Sequence, residues 1–292
     1  MPRLSVYVIA YNEAEKLEAA LRSVAWADEI VVADSFSTDA TAEIAARHAH
    51  RVLQVPFAGF GKLRNDVLAQ LTGDWVFSLD ADERCTEAAA AEIRRTIEQA
   101  DAHDAYRVPR RNYFFGRWIE HSGWYPDYRQ PQLFRRGKLR YTEDAVHETY
   151  VLDGTLGTLT EPIAQVPFRN LEQILHQAQR YSPLGVERLA RRGQRPSMLA
   201  ALGHGLFGFF RHYVLRAGFL DGWAGFVIAL SNFEGTFYRY AKHYEGAQGL
   251  THEPPLPASG GSSRSAAQPS EPPAPLRPRG ARSGQRARTA TP

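Results

Sequence analysis

The chain of 292 residues holds a single cysteine, Cys85. One thiol excludes an internal disulfide framework and suits a reducing compartment such as the cytoplasm. No Gly-x-Gly-x-x-Gly follows the first apolar run, so the dinucleotide fingerprint is missing and a nicotinamide oxidoreductase is disfavoured. A Gly-rich phosphate loop closing on Lys-Ser or Lys-Thr is missing too. Nor is there a run of roughly 18 or more apolar residues, the length a membrane-spanning helix needs. The two most apolar stretches are interrupted, by His204 within 198–210 and by Asp221 and Asn232 within 219–233. Met1-Pro2-Arg3 leads directly into the first apolar run, so no signal peptide is expected.

The net charge of +3 conceals an asymmetry. Residues 1–168 carry −6, residues 169–250 carry +5 and residues 251–292 carry +4. An acidic first part argues against nucleic acid as a partner. With 43% hydrophobic residues at this length, the chain can bury a substantial core.

Leu4–Ala10 is a short, β-branched apolar run of the kind that forms a buried parallel strand. Residues 14–25 then place Leu17, Leu21 and Val24 on one helical face. Further strands are expected at 29–33, 51–55 and 74–79, with helices at 40–49 and 62–71. Alternation of this kind argues an α/β fold, a parallel sheet with helices on both faces. Ligands bind such sheets beyond the carboxyl ends of the strands. Asn12 and Glu13, Asp34 and Asp39, and Asp80 and Asp82 all lie just past three of those ends. The Asp80-Ala81-Asp82 pair closes the run Trp75-Val76-Phe77-Ser78-Leu79. Two carboxylates one residue apart suit a hard divalent cation that takes its remaining ligands from a substrate's phosphates.

Three ordered blocks carry a resemblance. They are Val8-Ile9-Ala10-Tyr11-Asn12-Glu13, the stretch from Ile30 to Thr41 around Asp34 and Asp39, and the stretch from Gly73 to Glu83 around Asp80 and Asp82. Together they resemble family 2 glycosyltransferases of the GT-A fold, whose sheet is mixed but mainly parallel. The middle block departs from the family's commonest form, with Phe36 where glycine is usual. Because Phe disfavours φ > 0, that loop is expected to be built differently.

The resemblance implies inverting transfer of a sugar from a nucleoside diphosphate to a hydroxyl, assisted by Mg²⁺ or Mn²⁺. It implies Asp82 as principal metal ligand and Asp80 as ribose or metal-shell partner. Asp34 would hydrogen-bond the base, Ala10, Tyr11 and Glu13 would pack around the nucleoside, and Asp39 would support the same pocket. A helix cap with a first-turn acid is the simpler account of Asp34 and Asp39. Arg64 and Lys62, after Gly59-Phe60-Gly61, would meet the diphosphate or the base; a solvated glycine turn is the alternative. Asn65 is read as a cap for the following helix.

The acceptor hydroxyl needs a general base, normally a carboxylate. Candidates are Glu120, Asp127, Glu143, Asp144 and Glu148. Glu148 is favoured, because Val146-His147-Glu148 after Gln132-Leu133-Phe134-Arg135-Arg136-Gly137 resembles the branch that modifies the lipopolysaccharide inner core. His147 would ligate the metal, contact the diphosphate or orient Glu148. Asp127 is the alternative base. The nearby rings Tyr113, Phe114, Phe115, Trp118 and Trp124 could stack on an acceptor sugar, although core packing explains most of them more simply.

Residues 1–168 are thus read as the GT-A domain and 169–250 as a C-terminal helical extension. The extension alternates apolar stretches with Arg211, His212, Arg216, Arg239 and Lys242, a pattern of basic amphipathic helices that lie in a membrane interface. Residues 251–292, rich in Pro, Ser, Gly and Arg, are read as a disordered tail. The expected reaction is transfer of a hexose, glucose from UDP-glucose, to a lipid-anchored inner-core sugar at the cytoplasmic face of the membrane. The alternatives are transfer to a polyprenyl phosphate, and a nucleotide-sugar-binding scaffold without catalysis.

Overall fold

The computed structural model describes residues 1–143, 149–168 and 170–249. The elements run β1 (Leu4–Ala10), α1 (Ala14–Ser23), β2 (Glu29–Asp34), α2 (Thr41–His48), β3 (Arg51–Gln54), α3 (Phe60–Leu68) and β4 (Trp75–Ser78). Next come β5 (Glu83–Arg84), α4 (Glu87–Glu98), β6 (Ala105–Arg107), β7 (Arg110–Phe114), β8 (Arg117–Trp118), β9 (Leu133–Arg135) and β10 (Leu139–Tyr141). The chain continues with β11 (Tyr150–Leu152), β12 (Leu156–Thr158), β13 (Ile163–Gln165), α5 (Leu171–Arg191), α6 (Met198–Phe210) and α7 (Gly222–Gln248).

The main sheet has the order β12-β6-β9-β4-β1-β2-β3. Strands β4, β1, β2 and β3 are parallel, as their near-continuous apolar runs require. Beyond β4 the sheet turns mixed, because β9 is antiparallel to both β4 and β6. A second sheet, β5-β13-β7-β8, stands beside the carboxyl edge of β4.

Residue alternation in β1 divides the core. Leu4, Val6, Val8 and Ala10 face the layer of α1, α2 and α4, through Leu17, Leu21, Ile44 and Ile93. Tyr7 faces the opposite layer, with Leu63 and Val67 of α3. The helices expected at 14–25, 40–49 and 62–71 are present, with ends displaced by at most three residues. Asn65 is corrected: it lies inside α3, not at its cap. There its amide donates to Tyr141 O and accepts from Tyr141 N, at 2.9 Å each, stitching β10 to the helix.

The C-terminal helices share a third core with β7 and its neighbours, formed by Phe114, Ile119, Ile174, Ala224 and Ile228. Between α6 and α7 the chain makes a π turn at Arg211–Leu215 and a 3₁₀ turn at Gly218–Asp221. Ala217 between them takes φ 52°, and the helical path bends by 73°. Among the described residues no single helix is long and apolar enough to cross a membrane. The tail expected at 251–292 lies outside the described residues.

Candidate active site

The loops after β1 and β2 are laced together. Asn12 N donates to Ser37 Oγ (2.9 Å), Thr38 N donates to Asn12 Oδ1 (2.8 Å), and Glu13 N donates to Thr41 Oγ1 (2.8 Å). Asp39 accepts from Thr41 N at 2.9 Å and Ala14 N at 3.2 Å, so it serves the starts of both α1 and α2. Hydrogen bonds to the Thr41 hydroxyl and backbone hold its carboxyl below the usual range despite the opposing effect of desolvation. Asp34 is buried and accepts from Ser37 N, the Ser37 hydroxyl and Gln54 Nε2 (2.9 Å). These bonds wrap the chain tightly enough that Phe36 adopts φ 59°. The expectation that Phe36 avoids the left-handed region is therefore overturned. The conformation costs roughly 1–2 kcal/mol, and the Asp34–Ser37 bonds offset it. Tyr11 and Phe36 leave their rings exposed on this rim.

The Asp80–Asp82 segment is held from below. Glu83, fully buried, accepts from Asp80 N (2.9 Å) and Gln132 Nε2 (2.9 Å) through one oxygen and from Arg110 Nε through the other. Arg110 in turn donates to Asp127 O at 3.1 Å. Burial pushes the Glu83 carboxyl up to about 7, aided by Asp80 and Asp82 and opposed by the Arg110 cation. One buried ion pair thus ties the segment bearing Asp80 to the segment bearing Asp127. Cys85, just below, is buried, and desolvation pushes its thiol up to about 12, which suits packing and not nucleophilic chemistry.

Two cavities flank the carboxylates. The smaller, about 200 Å³, is lined by Arg64, Ser78, Asp80, Arg110, Arg129, Gln132 and Tyr141, among others. Arg64 reaches it from α3: its guanidinium stacks over the Tyr141 ring (5.2 Å) and lies 3.3 Å from Ser78 Oγ and 3.5 Å from Asp80 Oδ1. The larger, about 360 Å³, is lined by Asp82, Asn112, Gly123, Trp124, Asp127, Arg129, Gln165 and Phe168. Arg129 lines both and pairs with Asp127 at 3.0 Å. Each cavity presents one buried amide oxygen without a hydrogen-bond partner, Gln132 Oε1 in the smaller and Gln165 Oε1 in the larger.

Asp82 is the candidate metal ligand that this environment marks out. Burial and then the Asp80 charge raise its pKa, against a 3.0 Å hydrogen bond from Gln165 Nε2. A carboxylate crowded by burial and a like charge is stabilised by a cation. Among the described residues no group of three His, Cys, Asp or Glu side chains forms a complete metal cage. Two carboxylates form a sparse, hard donor set. That set fits Mg²⁺ or Mn²⁺, which take further ligands from substrate phosphates and water.

The sequence-predicted residues part company here. Asp80, Asp82, Asp127 and Arg64 are brought together. Lys62 points to solvent and is paired with Asp66 at 2.8 Å. Glu120 and Glu143 line neither cavity. Of the aromatic cluster, Trp124 lines the larger cavity, whereas Phe114 is core. Asp144, His147 and Glu148 lie outside the described residues. Thr142 N donates to Thr149 O at 2.8 Å, and Thr142 O packs so closely on Gly61 that a Cβ there would lie 1.9 Å from it. Sequence reasoning missed Arg129, Gln132, Gln165 and the Glu83–Arg110 pair. Of these, the acid directly after Asp82 was the one available signal.

The family model for glycosyl transferase family 2 matches residues 5–151. A lipopolysaccharide core biosynthesis glycosyltransferase of Rhizobium meliloti, LpsC, is 30% identical over 83% of this chain and 92% of its own length. A glycosyltransferase of Rickettsia bellii is 26% identical over 82% of this chain and 85% of its own. Among solved structures, residues 1–349 of S. aureus TarS align over 86% of this chain and 93% of that fragment, at 17% identity and a TM-score of 0.41. With half the chain matching the family model and LpsC matched over nearly its full length, the chain belongs to glycosyl transferase family 2.

Proposed function

We propose that the enzyme moves a hexose, glucose from UDP-glucose, onto a lipid-anchored sugar of the lipopolysaccharide inner core, with inversion and with Mg²⁺ or Mn²⁺ bound. The observation that carries the reading is the placement of Asp80 and Asp82 on the walls of two cavities that share Arg129. The smaller cavity, with Arg64 and Arg129, suits the diphosphate. The larger, with Trp124, Asn112 and Gln165, suits sugar rings and their hydroxyls. The kinship with LpsC supports the lipopolysaccharide acceptor.

Asp82, with Asp80, would hold the cation, which when bound offsets the charge that grows on the leaving diphosphate. Arg64 contributes a fixed positive charge, pre-oriented by Ser78, Asp80 and Tyr141, so little reorganisation accompanies departure of the nucleotide. A carboxylate takes the acceptor hydroxyl's proton as its oxygen bonds to the anomeric carbon, on the face away from the diphosphate. Glu148 is the proposed base. Asp127, already in the cavity with Asp82, is the alternative.

The donor is tested by calorimetric titration of UDP-glucose, UDP-galactose, ADP-heptose and GDP-mannose, each with Mn²⁺ and with EDTA. Metal-dependent binding of UDP-glucose alone is the expected result, and no binding of any of the four would sink the reading. The base is tested by Glu148→Gln against Asp127→Asn. The first is expected to keep donor affinity and lose at least about a hundredfold in transfer. A fully active Glu148→Gln with an inactive Asp127→Asn would move the role to Asp127. Mild effects in both would point to a phosphate acceptor that needs no base.

A further inference from the structure

The C-terminal helices bury one face and leave the other bare. On α6, Ala201 and Gly205 are buried, and Gly205 packs so closely on Phe233 that an added Cβ would lie 3.0 Å from its ring. The opposite face of α6 shows Leu199, Leu206 and Phe210, with relative exposures of 82%, 55% and 46%. The apolar exposure continues through the bend with Leu215, Leu220 and Trp223, at 63%, 55% and 80%. Soluble surfaces scatter such residues singly, whereas these follow one helical stripe into one turn. The charge around the stripe has one sign. Six arginines occur between residues 188 and 223, and the one acid there, Asp221, is buried. An apolar stripe fringed by arginine is complementary to a surface that is apolar within and anionic at its edge.

The bend also braces a wall of the larger cavity. Asp221, buried, accepts from Ser122 Oγ at 2.7 Å and from the Glu120 and His121 backbone N–H groups at 3.3 Å each. Ser122 N donates to Arg216 O, and His212 Nδ1 donates to Ser122 O, both at 2.9 Å. Gly123, at φ 75°, lies directly under the Arg216 side chain, which would collide with any Cβ there. These bonds fix the segment that presents Gly123 and Trp124 to the larger cavity.

We infer that the bend between α6 and α7 docks on an anionic lipid surface, and that it thereby holds the Gly123–Trp124 wall of the larger cavity at that surface. The inference rests on the lipid-anchored acceptor of the proposed function, and it names the part of the chain that meets the lipid. An acceptor carried in the same surface reaches the cavity across a wall already seated there, without leaving the interface.

The test uses the full-length protein, so that residues 251–292 contribute equally to every sample. Wild type and the double variant Leu220→Ser, Trp223→Ser are co-sedimented with vesicles of phosphatidylcholine alone and of phosphatidylcholine mixed with phosphatidylglycerol. Wild type is expected to bind the mixed vesicles, less so as salt rises, and the variant at least about tenfold more weakly. With brominated lipids, quenching of wild-type tryptophan emission is expected, and Trp223→Phe should lose most of it. Equal binding of wild type and variant would overturn the inference, as would wild type that ignores anionic vesicles. A wild-type dimer dissolved by the same substitutions would overturn it in favour of a second copy on this face. UDP-glucose calorimetry without vesicles separates the two readings. Retained affinity in the variant shows an intact site, while absent affinity in wild type would refute the donor assignment and leave the vesicle result standing.

Discussion

Asp82→Ala is expected to abolish metal-dependent UDP-glucose binding and to reduce transfer by about a thousandfold, the several kcal/mol that a Lewis-acid cation contributes. The size follows from how few hard ligands the site offers. Asp82 has a raised pKa because burial and Asp80 both oppose its charge, and the hydrogen bond from Gln165 is insufficient to reverse that. A carboxylate in this position is costly to the apo fold and useful to a bound cation. Asp82→Asn keeps an acceptor for Gln165 Nε2 and removes the charge, so it should be equally inactive yet no less stable than wild type in EDTA. Calorimetry with Mn²⁺ and thermal unfolding in EDTA check the two halves. Unchanged Mn²⁺-dependent affinity would remove Asp82 from the metal shell.

The second large effect is expected in the buried ion pair below. Glu83→Ala or Arg110→Ala should each destabilise the fold by about 3–5 kcal/mol, because each leaves an uncompensated buried charge. The double variant Glu83→Gln, Arg110→Met should recover much of that loss, since removing both charges removes the desolvation penalty as well. Activity should not recover with it. Glu83 fixes Asp80 N, and Arg110 fixes Asp127 O, so the double variant is a folded enzyme with its two carboxylate segments released from one another. Denaturant unfolding and turnover are to be measured on all three proteins. A loss below about 1 kcal/mol in either single variant would show that the pair is solvated and that the link is weak.

The rim carboxylates are legible in sequence for a physical reason. A short apolar parallel strand ends at the carboxyl edge whatever the rest of the chain does, so Asp34, Asp80 and Asp82 can be placed from local pattern. Arg64 follows because its helix must start at the same edge. Gln132, Gln165 and Arg129 are not legible, since they arrive through β9, β13 and an irregular loop. Their partners are set by the antiparallel crossover beyond β4, which no local periodicity encodes. Phe36 shows the converse failure. Its intrinsic preference is clear, and three hydrogen bonds to Asp34 override it. The bare stripe on α6 was anticipated as amphipathicity, but the bonds from the bend to Ser122 join residues about a hundred apart.

Strand β9 lies directly beside β4, with Leu133 opposite Phe77. The chain leaves the main sheet after β6 and returns at β9, the strand seated between β6 and β4. What lies between, including Asn112, Trp124, Asp127 and Arg129, is a closed excursion with both ends clamped at adjacent points. Insertions, deletions and substitutions within it need not shift the register of the strands that carry Asp34 and Asp80. Change confined to that stretch can therefore reshape the side of the larger cavity formed by Asn112, Trp124 and Asp127 while the strands that lead to Asp34 and Asp80 stay as they are.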